Sequence, residues 1–169
     1  MLESARPHQL TCFYYAVVEY SVEERPSQDP ELGLLLDAAF AELVGRYGAE
    51  GRSRVKDGAR YFVVVDAERR AVGCAALQVF ESEHAGDAEL KRMYVAPQAR
   101  GRGLARLLLS TLEQAARAAG HPTLRLSTGY LQPEAIALYE SSGYTRTEPW
   151  GKYVFEPSTY CYAKRIALF

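Results

Sequence analysis

A turn with two glycines, RGRG at residues 100–103, separates an apolar, strand-like run from a run with helical spacing. The first N–H groups of a helix have no partner within the helix, and the helix dipole adds partial positive charge there. Gly101 and Gly103 let a bulky ligand approach the backbone. Three arginines lie around them: Arg100, Arg102 and Arg106. The turn is therefore predicted to bind an anion, and a pyrophosphate fits this description best.

Two common phosphate-binding loops do not match the turn. A P-loop requires Gly-Lys-Ser/Thr, and a dinucleotide fingerprint that continues from Gly101 and Gly103 requires Gly or Ala where Arg106 stands. An alternative interpretation is that the glycines only permit a tight entry into the helix.

Length and charge limit the classes of function. The 169 residues suit one domain over residues 1–169, whose core needs no metal or disulfide. The net charge of -1, with both signs scattered along the chain, argues against nucleic acid or a membrane surface as partner. No run approaches the roughly 20 apolar residues of a membrane span, and the N-terminus lacks a signal-peptide pattern. We therefore expect a cytoplasmic protein.

The cysteines favour a reducing compartment. They are odd in number and widely separated, and each lies in an apolar, strand-like run: Cys12, Cys74 and Cys161. This pattern is typical of small buried thiols and argues against a disulfide framework or a metal cluster. We therefore expect no metal.

The chain begins with a predicted strand and a predicted helix. Aromatic and β-branched residues predict a strand at Leu10–Tyr20, ended by the turn-forming residues ERPSQDPE (24–31). Apolar residues at helical spacing predict a helix that Asp29 caps and Gly48 ends, with Pro30 in its first turn.

Three strands are predicted to follow as an antiparallel meander. Residues 60–80, RYFVVVDAERRAVGCAALQVF, contain two strands joined at Asp66–Arg70. Residues 88–97, AELKRMYVAP, contain a third strand that Pro97 ends.

A strand, helix, strand unit completes the prediction. A leucine-rich helical face begins after Gly103 and ends at Gly120, and TLRLST (123–128) forms the next strand. QPEAIALYESSG (132–143) predicts a second helix, and STYCYAKRIAL (158–168) alternates like a closing strand.

The glycine turn and its flanks resemble the GNAT superfamily of acyl-CoA N-acyltransferases, whose coenzyme A signature is Q/R-x-x-G-x-G/A. Arg100, Gly103 and Ala105 match this signature. Gln98, Gly101 and Gly103 match it again in an overlapping register. The flanking segments, which extend the resemblance over Glu89–Tyr144, are similar to the family's fourth strand, central helix, fifth strand and following helix.

The resemblance implies an α/β (α+β) fold. Its centre is a mixed, mostly antiparallel sheet of six to seven strands flanked by helices. The fourth and fifth strands are parallel and splay apart, which leaves a cleft for the cofactor.

The same resemblance implies acetyl-CoA as cosubstrate and direct transfer to an amine in a ternary complex. Main-chain groups of Met93, Tyr94 and Val95 are then expected to bind the acyl carbonyl and the pantetheine amides. The pyrophosphate is expected at the N–H groups of the turn, with the arginines around it: Arg100, Gly101, Arg102, Gly103, Leu104, Ala105 and Arg106. Gln132 stands where the family often has an Asn that contacts the pantetheine region.

Tyr139 and Glu89 are the candidate catalytic residues that the resemblance suggests. The Tyr139 hydroxyl is expected near the coenzyme sulfur, where it would protonate the leaving thiolate. Packing of the ring beside Ile136 and Tyr144 is the alternative. Glu89 would remove the amine proton, directly or through water, although a solvated hairpin residue is the alternative there.

The acceptor amine is not identified by the sequence. Five aromatic residues suggest a pocket lining for an apolar or cationic group, or an ordinary core: Trp150, Tyr153, Phe155, Tyr160 and Tyr162. The acceptor could be a small amine, an amino acid, an antibiotic or a peptide terminus. A non-catalytic coenzyme A sensor, or an interaction module that dimerises through a strand edge, remains the alternative function.

Overall fold

A mixed sheet of seven strands forms the centre of the residues that the computed structural model describes, which are 20–48, 55–80 and 83–166. The strands are β1 (Ser21–Arg25), β2 (Arg60–Val65), β3 (Ala71–Val79), β4 (Ala88–Val95), β5 (Thr123–Gly129), β6 (Thr145–Thr147) and β7 (Thr159–Arg165). Their spatial order is β1-β2-β3-β4-β5-β7-β6. Neighbouring strands pair antiparallel except for β4 and β5, which are parallel. The predicted fold class is confirmed.

Three helices flank the sheet in the described residues: α1 (Pro30–Tyr47), α2 (Leu104–Ala118) and α3 (Pro133–Ser141). Short 3-10 turns lie at Pro97–Ala99 and Gly151–Phe155. None of these helices is both long and apolar enough to cross a membrane.

Helix α1 begins and ends where the sequence predicts. The Asp29 carboxylate accepts a hydrogen bond from Leu32 N at 2.9 Å, Pro30 occupies the first turn, and Gly48 follows the last helical residue with a φ of 79°. The predicted meander of β2, β3 and β4 is also confirmed, with Asp66–Arg70 as the connection between its first two strands.

The N-terminal strand differs from its prediction. Residues 10–19 of the predicted first strand lie outside the described residues, and Tyr20 precedes β1. Glu24 and Arg25, which were predicted in a turn, belong to β1 because they pair with β2 along one edge of the sheet. Glu24 forms an ion pair with Arg60 of β2 at 2.8 Å. Pairing between strands therefore overrides the local turn tendency of these residues.

Strands β4 and β5 part soon after they meet. They pair at three positions, where Ala88, Glu89 and Leu90 lie opposite Leu124, Arg125 and Leu126. Beyond these pairs the strands diverge, as the resemblance implied, and open a cleft at the carboxyl ends of both.

The two faces of the sheet have different coverings. On one face, α2 and α3 pack on a core that includes Leu108, Leu112, Leu126 and Tyr139. On the other face, which we call the α1 face, α1 packs over one group of buried side chains. The turn Gly151–Phe155 and Phe80 cover a second group on that face.

A leucine pair tests the importance of the α2 core. Leu108 on α2 is 0% exposed, whereas Leu34 on α1 is 71% exposed. We predict that Leu108→Ala lowers the free energy of unfolding by about 2 to 5 kcal/mol, because it leaves a cavity against the sheet. Leu34→Ala should change it little. Urea unfolding measures both, and equal effects would contradict this core assignment.

Candidate active site

A β-bulge shapes β4 just beyond its last pair with β5. Cys74 of β3 lies opposite Tyr94, whereas Ala76 lies opposite Lys91, so β4 contains one extra residue. Arg92 accommodates this residue in the left-handed region, with a φ of 57°. A bulge bends its strand and changes the direction of its side chains.

A cavity of about 470 Å³ lies between the parted strands. Its walls come from α1, β4, the glycine turn, the start of α2, β5 and α3. Eleven of the predicted site residues line it: Met93, Tyr94, Val95, Arg100, Gly101, Gly103, Leu104, Ala105, Arg106, Gln132 and Tyr139. The structure therefore brings most of the predicted site together, whereas Arg102 and Glu89 do not line the cavity.

The end of β4 turns a backbone donor toward the cavity. The N–H of Ala96 donates to Val72 O at 2.9 Å, on the β3 side of the strand. Successive N–H groups of a strand point to opposite edges, so the N–H of Val95 points toward β5. This edge of β4 can therefore hydrogen-bond an extended ligand in the cleft.

The glycine turn combines a backbone conformation that favours glycine with open space in front of it. Gly101 and Gly103 have φ values of 75° and 77°, which side chains disfavour. A Cβ at either position would meet no atom within 4 Å, so open space lies in front of this backbone. The first N–H groups of α2 also begin here and have no partner within the helix. Together these features form a cradle that fits an anion.

The three arginines of the turn already have partners. Arg100 Nε donates to Val95 O at 2.9 Å, and its Nη2 lies 2.6 Å from Glu42 on α1. Arg102 Nη1 donates to the Tyr20 hydroxyl at 2.9 Å. Arg106 donates to the hydroxyls of Ser141 and Ser142 at the end of α3, each at 2.9 Å.

A chain of ion pairs links α1 to both sides of the cleft. Glu42 lies 2.6 Å from Arg100 in the turn and 2.9 Å from Arg46 on its own helix. Arg46 also lies 2.7 Å from Glu134 at the start of α3. Exposed pairs of this kind contribute little stability, so each can exchange partners at small cost.

Tyr139 is a buried residue of the cavity lining. The side chain is 5% exposed, and its ring packs near Tyr144 and Tyr162. Its hydroxyl lies 3.9 Å from the sulfur of Met93, which is a weak acceptor. Burial raises the pKa of the Tyr139 phenol above its usual value, so the proton stays on the oxygen at neutral pH.

Glu89 lies behind Lys91 in a buried polar group on the α1 face. Its Oε2 accepts from Gln78 Nε2 at 2.8 Å, and its Oε1 lies 2.9 Å from Lys91 Nζ. Lys91 Nζ in turn donates to the Tyr153 hydroxyl at 2.9 Å. Glu89 is therefore buried and paired, which rules out the solvated hairpin residue of the alternative interpretation.

The five aromatic residues predicted as a pocket lining do not line the cavity. Trp150 and Tyr153 are buried with Phe80 and Cys161. Tyr162 is buried in the α2 core, against which Tyr160 packs, and the Phe155 side chain is exposed. The core alternative is therefore correct for four of them, and α1 supplies the apolar wall instead.

The described cysteines are poor nucleophiles. Cys74 and Cys161 are free and buried, whereas Cys12 lies outside the described residues. Burial raises the pKa of the Cys74 thiol to about 12 and also raises that of Cys161. A thiol with such a pKa is protonated at neutral pH.

Lys91 and Glu42 line the cavity but were not predicted from the sequence. The chain has 20 Lys and Arg residues and 21 Asp and Glu residues, and no local motif distinguishes Lys91 or Glu42 from the others. A usable signal for Lys91 is its spacing of two from Glu89, since residues two apart on a strand share one face. Glu42 has no such signal, because its partner Arg100 is 58 residues away.

The chain matches a family model over most of this site. The model of the GNAT acetyltransferase domain covers residues 57–146. An IAA acetyltransferase of Azospirillum brasilense is 41% identical over 96 residues, which are 57% of this chain and 61% of that protein. The chain spans 39 to 61% of the length of the first curated relatives that it matches.

Solved structures share this fold over most of the chain. A Klebsiella pneumoniae protein assigned as an acyl-CoA N-acyltransferase is 31% identical, with a TM-score of 0.76 over 88% of this chain and 98% of that one. A GNAT family acetyltransferase of Elizabethkingia anophelis with acetyl-CoA bound is 16% identical, with a TM-score of 0.65 over 86% and 97%. At 16% identity, the similarity to the Elizabethkingia protein supports the fold alone. By the family model and the Klebsiella relative together, the chain belongs to the GNAT acetyltransferase family.

Proposed function

We propose that the protein transfers an acetyl group from acetyl-CoA to a primary amine within a ternary complex. The observation that carries this proposal is the cleft between β4 and β5, whose lining includes both the glycine cradle and Tyr139. The buried, protonated cysteines support direct transfer rather than transfer through an enzyme thiol.

The chain fits coenzyme A in the cleft. The cradle at Gly101–Ala105 would hold the pyrophosphate, while the edge of β4 at Met93, Tyr94 and Val95 would bind the pantetheine amides as an added strand would. Arg100 would exchange Glu42 for a phosphate oxygen, and Arg102 and Arg106 would add positive charge. Gln132 lies on the cavity wall at the start of α3, where its amide can reach the pantetheine arm.

Bound acetyl-CoA would supply an activated acetyl carbon and a thiolate leaving group. Tyr139 would donate its phenolic proton to the sulfur as the carbon–sulfur bond breaks and the carbon–nitrogen bond forms. The balanced result is an N-acetyl amine, free coenzyme A and one proton from the ammonium group.

Glu89 remains our proposal for the base, acting through water. Its carboxylate is not on the cavity wall, so it cannot reach the amine directly in this structure. A water beside Lys91 could pass the amine proton to it. The observation that supports this role is the burial of an ionisable carboxylate next to the cavity.

Release of free thiol tests the proposal against its alternative. Incubation with acetyl-CoA and a broad set of amines should release coenzyme A thiol in an amine-dependent manner. A coenzyme A sensor would bind the cofactor and release none, and an interaction module would show no thermal stabilisation by coenzyme A.

Gly103→Val tests the cradle. Wild type should gain about 2.7 kcal/mol of stability when coenzyme A is at a hundredfold excess over its dissociation constant. The valine side chain would fill the space in front of the turn and abolish this gain. Gly120→Val is the matched control, since Gly120 also has a positive φ (85°) and open space but lies at the end of α2. Thermal shift measures both, and an unchanged gain in Gly103→Val would contradict the assignment.

Tyr139→Phe tests the general acid. The ring and its packing remain, and only the proton donor is lost, so we predict intact coenzyme A binding and turnover about 10² to 10⁴-fold slower. Tyr144→Phe is the control, because the Tyr144 hydroxyl donates to Glu113 and Tyr144 does not line the cavity. If turnover is limited by chemistry and the Tyr139 variant matches wild type, Tyr139 has a packing role only.

Glu89→Gln tests the base through its pH profile. Amines are mostly protonated near neutrality, so the variant should lose about 10² to 10⁴-fold in turnover there and recover part of it as pH approaches the pKa of the amine. Glu113→Gln is the control, since Glu113 also pairs with a lysine, Lys164, which unlike Lys91 does not line the cavity. A profile parallel to wild type with unchanged turnover would remove Glu89 from the catalytic residues.

A further inference from the structure

Lys91 is a cavity-lining residue with a buried ammonium group. Its side chain is 9% exposed, and the residue lines the cavity. An ammonium has three N–H donors. Among residues 20–48, 55–80 and 83–166, its partners are the Tyr153 hydroxyl and the Glu89 carboxylate, each at 2.9 Å. At least one N–H donor of the ammonium therefore remains beyond the Tyr153 hydrogen bond and the Glu89 ion pair.

The ammonium stays charged near neutral pH. Burial acts to lower the pKa of Lys91, but Tyr153 and Glu89 beside it together hold that pKa above its usual value. A permanently charged donor is a poor proton acceptor. It can, however, form a charge-assisted hydrogen bond with an anion.

The bulge adds a second cation to the same face. In a regular strand, Arg92 would point away from Lys91. With its left-handed φ, Arg92 instead interacts electrostatically with Tyr61 and Cys74, whose side chains lie on the α1 face. Arg92 also lines the cavity. Two successive residues of β4 thus place positive charge on the side of the cavity that α1 covers.

The acidic residues of the cavity wall lie toward its other end. Glu42 pairs with Arg100, whose Nε bonds the carbonyl of Val95 at the end of β4. Glu134 lies at the start of α3 and pairs with Arg46. Of the charged residues at the Lys91 end, Lys91 and Arg92 line the cavity and the paired carboxylate Glu89 does not, which favours an anionic ligand there.

One cavity contains both Lys91 and the candidate reacting position. Met93, whose sulfur lies 3.9 Å from the Tyr139 hydroxyl, is two residues from Lys91 and also lines the cavity. The Lys91 and Met93 side chains lie on opposite faces of the sheet, so a ligand that reaches both would pass through the gap between β4 and β5. Leu36, Phe40 and Leu43 of α1 give the same cavity an apolar wall for the rest of the molecule.

We propose that the acceptor is a primary amine that also carries a carboxylate, as in an amino acid, and that Lys91 binds this carboxylate. The inference rests on the proposed acetyltransferase function and deepens it. A carboxylate oxygen would accept the remaining Lys91 donor, and α1 would cover an apolar side chain. Lys91 is then a specificity-determining residue. Glu89, besides its proposed role as base, positions the Lys91 ammonium through their ion pair.

Matched pairs of acetylated products test this preference by binding alone. The probes are N-acetylalanine, N-acetylleucine and N-acetylphenylalanine, each against the amide that lacks only the carboxylate. Isothermal titration into the complex with coenzyme A measures their dissociation constants. For the side chain that fits, we expect the acid to bind about 10 to 100-fold more tightly than its partner, which is the usual strength of a hydrogen bond to a charged group.

Variants of the ion pair assign the preference to Lys91. Lys91→Met combined with Glu89→Gln removes both charges, so no unpaired charge stays buried. This double variant should lose the preference for the acid. Lys152→Met is the matched control, because Lys152 also lies over the Tyr153 ring, at 5.4 Å, but does not line the cavity. The control should keep the preference. If the double variant does not fold, Lys91→Gln, which can still donate to Tyr153, takes its place.

Two results would overturn the inference. In the first, wild type shows no preference for the acid in any of the three pairs, whether both probes bind or neither does. In the second, the preference for the acid persists in the variant that lacks Lys91. Failure of the proposed function is distinguishable from both. In that case coenzyme A does not bind, or amines release no thiol. Coenzyme A binding and thiol release without preference for an acid would contradict this inference alone.

Discussion

The parting of β4 and β5 after three residue pairs is the constraint on which the site depends. Backbone donors and acceptors that are buried need partners, and two strand edges that face each other across a cavity can find them in an extended ligand. The bulge at Arg92 lies where the strands diverge, and the N–H of Val95 points toward the gap. An amide-rich arm such as pantetheine is suited to this gap for the same reason that a strand is.

The two faces of the sheet contribute different parts of the site. The α2 face contributes a rigid leucine core, the cradle at the start of α2 and the Tyr139 hydroxyl. The α1 face contributes the Lys91 and Glu89 pair and the apolar wall of α1. Exposed ion pairs join α1 to the cradle through Glu42 and Arg100, and they are weak compared with core packing. The cradle can therefore change partners while the sheet keeps its geometry.

Local patterns predict most of this fold, because its helices and central strands carry strong local signals. Asp29, Pro30 and Gly48 mark the ends of α1, and the two glycines mark the start of α2. The parallel pairing of β4 with β5 followed from the family resemblance and not from any local pattern. Strand β1 was misplaced at Glu24 and Arg25, because its pairing with β2 depends on residues about 40 positions away.

The site is less predictable than the fold, because its charges are arranged by contacts between distant residues. The family resemblance in the sequence indicates that Glu89 is a candidate base. It does not indicate that Lys91 lines the cavity in place of Glu89, or that Lys91 donates to Tyr153, which lies 62 residues further along the chain. It also indicates aromatic residues near the C-terminus, but not that they fill a core beside the cavity. Such arrangements depend on which side chains the β4 bulge and the covering turn bring together.

A crystal structure with coenzyme A bound would test the central claim most directly. The prediction is that pantetheine lies between β4 and β5 and hydrogen-bonds the main chain at Met93–Val95. The pyrophosphate should contact the N–H groups of Gly101–Ala105, and the sulfur should lie within hydrogen-bonding distance of the Tyr139 hydroxyl. Coenzyme A bound outside this cleft, or with its sulfur remote from Tyr139, would contradict the claim.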